Sequence, residues 1–149
     1  MSITTIIKAR GLLTVGTQVL LCKEPNKNFF FLPGGCLEQN ENLPSCLVRE
    51  FKEELGIEIF IGPFLGCIEC HYKVSQTVFQ ELNRVFKIAT SHIFLTEKLI
   101  SLEKHIEFHL IDIDKLNYPS FKILPARIAN ILFSSPIIPT YQFENQIIN

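Results

Sequence analysis

Arg49, Glu50, Glu53 and Glu54 crowd one short stretch of this chain, with Glu41 a little upstream. Three glutamates at i, i+3 and i+4 share a helix face and repel one another. Arg49 reaches Glu53 at i+4 and can hold that carboxylate in place, yet net negative charge remains. A divalent cation would relieve it. A donor set made only of carboxylate oxygens favours magnesium or manganese. Glu50, Glu53 and Glu54 are therefore candidate metal ligands, and carboxylates beside a metal are suited to activating water.

The groups need a rigid element, and residues 43–55 read as a helix. Asn42 is a candidate N-cap, Pro44 falls in the first turn where its missing N–H is harmless, and Gly56 supplies the stop. At about 100° per residue, Leu47, Val48, Phe51 and Leu55 form an apolar arc, with Glu50, Glu53 and Glu54 on the other. Ahead of the helix, Pro33-Gly34-Gly35 lets the backbone pass close to a ligand or turn sharply, and Glu41 would brace the loop that follows. The bland alternative is a solvated acidic helix. Such a helix would interleave Lys with Glu, whereas here one arginine stands among three glutamates.

The array resembles the Nudix hydrolase signature: Gly35, five free residues, Glu41, seven free residues, then Arg49, Glu50, an apolar Phe51, Glu53, Glu54, Gly56 and an apolar Ile57. Every position is filled, a coincidence expected on the order of once in 10⁸ start sites at background residue frequencies. The resemblance implies an α/β/α sandwich with a mixed β-sheet between helices. It implies hydrolysis of the diphosphate linkage of a nucleoside diphosphate joined to another moiety, with Mg²⁺ or Mn²⁺ as cofactor. Glu53 is then the first candidate for general base, with Glu50 and Glu103 as alternatives. Glu103, in the loop before a strand, is also a candidate extra ligand, and Arg49 orients a carboxylate. Gly35, Arg10 and Lys23 are candidates for contact with substrate, while Gly34, Glu41 and Gly56 shape the motif. Residues 80–86 look like a strand that follows the motif in the family.

The rest of the chain agrees with a single domain, residues 1–149, with a core over about 5–133 and a C-terminal tail over 134–149. At 149 residues and 47% hydrophobic composition, a sizeable core is available. A net charge of −1 argues against a broad nucleic-acid-binding face but leaves single nucleotides open. The N-terminus lacks an export signal and no run has membrane-spanning length, so a cytoplasmic location and no membrane partner are expected. Five cysteines without framework spacing read as free thiols. Strands are expected at 6–13 and 18–23 around a Gly16-Thr17 hairpin, at 29–32, 57–61, 64–72, 83–89 and 107–113, and a second helix from Leu124-Pro125 to about Phe133. Specificity is expected from residues 64–80 and 95–106, outside the motif. Oligomeric state, monomer or homodimer, is open.

Two clusters invite other chemistry. Cys67-Ile68-Glu69-Cys70-His71 has haem-attachment spacing, but on a strand Cys67 and Cys70 point to opposite faces and cannot share an ion. His105, Glu107 and His109 alternate on one strand face, and pairing with polar neighbours accounts for them as well as a metal does. Tyr72 lies where some Nudix members sort substrates by a tyrosine, at a spacing too loose to assign one here. The rival functional class is a catalytically idle Nudix-fold module that senses a nucleotide, and a third is an interaction domain with an incidental acidic helix. Such a sensor is expected to lose ligand carboxylates, and this chain keeps them.

Overall fold

The computed structural model describes residues 2–94, 98–133 and 139–146. The glutamate helix, α1, spans Leu43–Leu55. Asn42 caps it by accepting the Ser45 amide at 2.9 Å, and Gly56, at φ 68°, donates its own N–H to the Lys52 carbonyl. Pro44 sits in the first turn as expected. Asn42→Ala is expected to cost about 1 kcal/mol of stability, and an unchanged urea midpoint would show that the cap carries no weight.

Ahead of α1 run β1 (Ser2–Leu12), β2 (Thr14–Val15), β3 (Gln18–Lys23) and β4 (Gly34–Cys36). After it come β5 (Phe60–Val74), β6 (Thr77–Ala89), β7 (Lys98–Leu99), β8 (Glu107–Asp112), the short helix α2 (Ile128–Leu132) and β9 (Thr140–Asn145). One sheet has the order β4-β1-β6-β5-β9 and is mixed; the other has the order β2-β3-β8-β7. Side-chain alternation then divides the core in two. Ala9 and Ile88 meet Leu47 and Phe51 of α1 on one face, while Leu12, Ile68 and Val85 meet Ile128 and Ile131 of α2 on the other. The helices thus flank the strands, which is the α/β/α sandwich expected.

Several boundaries differ from expectation. Gly16-Thr17 does turn a hairpin, but between β2 and β3, because β1 leaves to pair with β4 and β6. Residues 29–32 make only isolated bridges, Cys22 with Phe31 and Phe30 with Ile123, and the ladder strand follows Pro33. Most of the two segments expected at 57–61 and 64–72 is one strand, β5, whose register shifts around Pro63 accommodate a residue without an N–H. The second helix begins at Ile128 rather than near Leu124-Pro125.

The tail expected from residue 134 is also corrected. Thr140–Asn145 forms β9, parallel to β5, and Glu144 accepts the amides of Ala126 and Arg127 at 3.2 and 3.1 Å. Residues 134–138, 147–149 and 95–97, the last at the start of one expected specificity loop, lie outside the described residues. No helix among the described residues is long and apolar enough to cross a membrane.

Candidate active site

The carboxylates of α1 are not equivalent. Glu54 stands two turns after Leu47, about 20° from it around the helix, so it shares the inner face with Leu47 and Phe51 and is 5% exposed. Val48 occupies the opposite margin of the apolar arc and is exposed. The simple division into an apolar and a carboxylate arc fails at these two positions. Burial, then the charge of Glu50, push the Glu54 carboxyl up to about 8, and Arg10 opposes the shift more weakly.

Glu50 lies directly over Gly35, where any Cβ would run into the carboxylate. Glycine is needed there for approach, not for an unusual φ. At Gly34 both reasons hold: φ is 141°, and a Cβ would strike the Ala9 carbonyl across the β1–β4 pairing. Gly35→Ala is expected to keep the fold and lower turnover about 10²-fold, the scale on which a displacement near 1 Å is felt at a reacting centre. Unaltered kinetics would mean that Glu50 needs no such approach.

Arg49 organises the remaining acids. Its Nε donates to Glu41 Oε2 at 2.7 Å and its Nη2 to Glu41 Oε1 at 3.0 Å, a two-pronged grip across the loop. Nη1 donates to Glu50 at 3.0 Å and to Glu53 at 3.2 Å, and Nη2 also reaches the Cys36 carbonyl at 3.2 Å. The expected i, i+4 pair with Glu53 therefore forms, but Glu41 is the main partner. These hydrogen bonds from Arg49 hold the Glu41 carboxyl at about 2. Glu41 braces the loop as the sequence suggested, accepting the Glu38 amide at 3.4 Å as well.

Glu103 arrives from the loop before β8. The Leu102 amide donates to the Glu54 carbonyl at 2.7 Å, docking this loop on the end of α1. Glu103 is then near enough for its charge to raise Glu54 further, and it pairs with His105 at 3.3 Å. Glu53, 49% exposed, faces Arg49 and solvent. Among the described residues, no three His, Cys, Asp or Glu side chains converge closely enough to hold a metal ion. Glu50 and Glu54 do come together, and Glu53 is drawn aside by Arg49. An oxygen-only pair, one member buried and resisting ionisation, beside a glycine that leaves room, fits a small hard dication.

Of the substrate candidates, Arg10 is buried rather than exposed. Its Nε donates to Asn83 Oδ1 at 3.0 Å, its Nη1 to the Leu32 carbonyl at 3.1 Å, and its guanidinium lies 5.5 Å from the Phe31 ring centre. It lines a cleft of about 310 Å³ on the face of the larger sheet turned from α1. Lys23 does not line this cleft; its ammonium lies 5.8 Å from the Phe30 ring centre, on the smaller sheet. Tyr72 does line it, together with Lys8 and Glu81, which sequence reasoning passed over. Their signal was present in polar residues two apart, Lys8 with Arg10 and Glu81 with Asn83, inside otherwise apolar strands.

The histidines of the two distracting clusters pair with glutamates. Cys67 and Cys70 are free and buried on opposite faces of β5, and Cys70 lines the cleft. His109 pairs with Glu107 at 3.2 Å and His71 with Glu69 at 2.7 Å.

The NUDIX domain family matches residues 6–126. The chain is 34% identical over 74 residues to the low-salt glycan biosynthesis protein Agl8 of Haloferax volcanii, covering 50% of this chain and 46% of that protein. It is 31% identical over 78 residues to an 8-oxo-dGTP diphosphatase of Buchnera aphidicola, covering 50% of this chain and 60% of that one. The matched segments thus span only about half the length of these curated relatives. The crystal structure of a MutT protein from Bacillus halodurans superposes with a TM-score of 0.70 at 20% identity, over 95% of this chain and 91% of that one, and shares the fold. With the family match spanning most of its length and the complete motif folded around Arg49 and Glu54, the chain belongs to the NUDIX domain family.

Proposed function

We propose that this chain hydrolyses the diphosphate linkage of a nucleoside diphosphate joined to another moiety, using Mg²⁺ or Mn²⁺. The observation that carries the reading is the shared architecture of the acids: Glu50, which lies over Gly35, adjoins Glu54, while Arg49 fixes Glu41, Glu50 and Glu53 from one side. Glu50 and Glu54 would hold the cation, with Glu53 and Glu103 beside them. The bound cation would neutralise diphosphate oxygens and make phosphorus more electrophilic.

Glu53 is the first choice for general base because it is the most exposed of the three α1 glutamates and therefore open to water. It takes a proton from water as the water oxygen bonds to phosphorus and the anhydride P–O bond breaks. Glu50 and Glu103 are the alternatives. The products are a nucleoside monophosphate and a phosphorylated group, or a monophosphate and pyrophosphate from a triphosphate. The curated relatives of this chain include an 8-oxo-dGTP diphosphatase and an ADP-ribose pyrophosphatase, which places nucleotides of both shapes in the test panel.

The test is release of monophosphate, pyrophosphate and phosphate from nucleoside triphosphates, ADP-ribose, NADH, nucleotide sugars and dinucleoside polyphosphates, with and without Mg²⁺. Metal-dependent turnover lost in Glu53→Gln is expected. Saturable binding of one nucleotide with no turnover of any would replace the enzyme by a sensor.

A further inference from the structure

The cleft beside Arg10 has a floor that diphosphate hydrolysis does not explain. Glu81, 7% exposed, lies on β6 between Lys8 of β1 and Tyr72 of β5. Lys8 Nζ meets Glu81 Oε2 at 3.0 Å, the Tyr72 hydroxyl donates to the same oxygen at 3.2 Å, and Asn83 Nδ2 donates to Oε1 at 2.9 Å. Asn83, fully buried, is itself held by Arg10. Burying so many polar groups is unfavourable unless nearly all of them are satisfied, so the bonds still open at the floor are informative.

An ionised carboxylate offers about four acceptor positions and an ammonium three donors. Lys8, Tyr72 and Asn83 occupy three positions on Glu81, leaving one on Oε1. Lys8 spends one N–H on Glu81, and among the described residues no acceptor meets the other two. At Glu81 and Lys8 the floor therefore presents one acceptor and two donors side by side. A lactam edge, a ring N–H next to a C=O, is its complement, with one donor and a carbonyl oxygen bearing two lone pairs. An amidine edge, a ring nitrogen next to an amino group, has two donors and one acceptor, so it can meet the floor's acceptor and one of its donors but leaves an N–H of its own facing the second N–H of Lys8.

Phe29 and Phe31 wall the cleft and offer aromatic faces to a flat ring, and its volume of about 310 Å³ is at the small end for ligand sites, suited to one base. Arg10 ties this floor to the acids, since it lies within electrostatic reach of Glu54 and pairs through β1 with Gly34, next to Gly35.

Resting on the nucleotide-hydrolase reading above, we infer that Glu81 and Lys8 determine specificity by reading the substrate base, and that they select lactam-bearing bases over amidine-bearing ones. Glu81 and Lys8 touch the base, not the reacting phosphorus. Tyr72, Asn83 and Arg10 are positioning residues.

Two matched pairs isolate the edge: inosine against adenosine, and uridine against cytidine, each as the triphosphate and as the diphosphate sugar. Wild-type kcat/KM is expected to favour the lactam member of each pair by about 10²-fold or more, since a site built around buried hydrogen bonds discriminates strongly against a mismatched partner. In Glu81→Gln, whose amide can turn either way, and in Lys8→Gln, at the partly exposed end of the pair, the preference is expected to shrink to within about fivefold, chiefly through KM for lactams. A purely structural role would lower all substrates alike and leave the ratio standing. An amidine preference in the wild type, or a ratio unchanged in both variants, overturns the inference while the hydrolase stands. No turnover of any nucleotide by the wild type overturns the underlying reading and the inference with it.

Discussion

Glu54→Gln is expected to lower turnover by about 10³-fold or more while leaving the fold intact, because glutamine keeps the shape of the side chain and removes only its capacity to ionise. Packing favours the variant. Glu54 is 5% exposed and its carboxyl is pushed up to about 8, so near neutrality it already carries a proton for much of the time. A neutral amide of the same size should sit there at little cost. What it cannot do is become an anion beside Glu50 when a dication is present. Thermal unfolding separates the two consequences. The wild type is expected to gain stability on addition of Mn²⁺, as any folded-state ligand confers, and the variant to start from a similar midpoint and gain much less. Turnover within tenfold of wild type, or an undiminished response to Mn²⁺, would remove Glu54 from the metal site.

The inner position of Glu54 was readable from the helix repeat, which sets it almost above Leu47; grouping it with Glu50 and Glu53 by charge alone obscured this. The helix itself was legible because Asn42, Pro44 and Gly56 act locally, each on one or two backbone groups. Strands were less so. Gly34–Cys36 has almost no strand propensity and is a strand because Lys8, Ala9 and Arg10 pair with it. Thr140–Asn145 follows two prolines and gains its place through β5, the Glu144 contacts to residues 126 and 127 and the bond from Asn130 to Gln142. The cleft was hidden for a related reason. Lys8 and Glu81 are far apart in sequence, and their pairing at 3.0 Å exists only once β1 lies parallel to β6.

Arg49→Ala is expected to lower turnover about 10²-fold, through misplaced acids rather than a lost substrate contact. The guanidinium meets Glu41, Glu50 and Glu53 in one plane of donors, so without it three carboxylates are left to repel and the glycine loop loses its brace. Arg49→Lys should recover little, because an ammonium cannot grip Glu41 with two parallel bonds while also reaching Glu50 and Glu53. The same change should be visible without substrate. Glu41 titrates near its ordinary value in the unfolded chain, about 4.3, but at about 2 in the fold, held there by Arg49. The folded protein therefore binds fewer protons across that interval. This contribution to stability is complete above the unfolded value and disappears as pH falls toward 2. Arg49→Ala forfeits it at neutral pH already, so the wild-type and variant stability curves should converge on acidification. Urea unfolding between pH 7 and the acid limit measures the gap. A gap that stays constant with pH would place the stabilising action of Arg49 elsewhere than on Glu41, and turnover restored by lysine would reduce its catalytic role to charge alone.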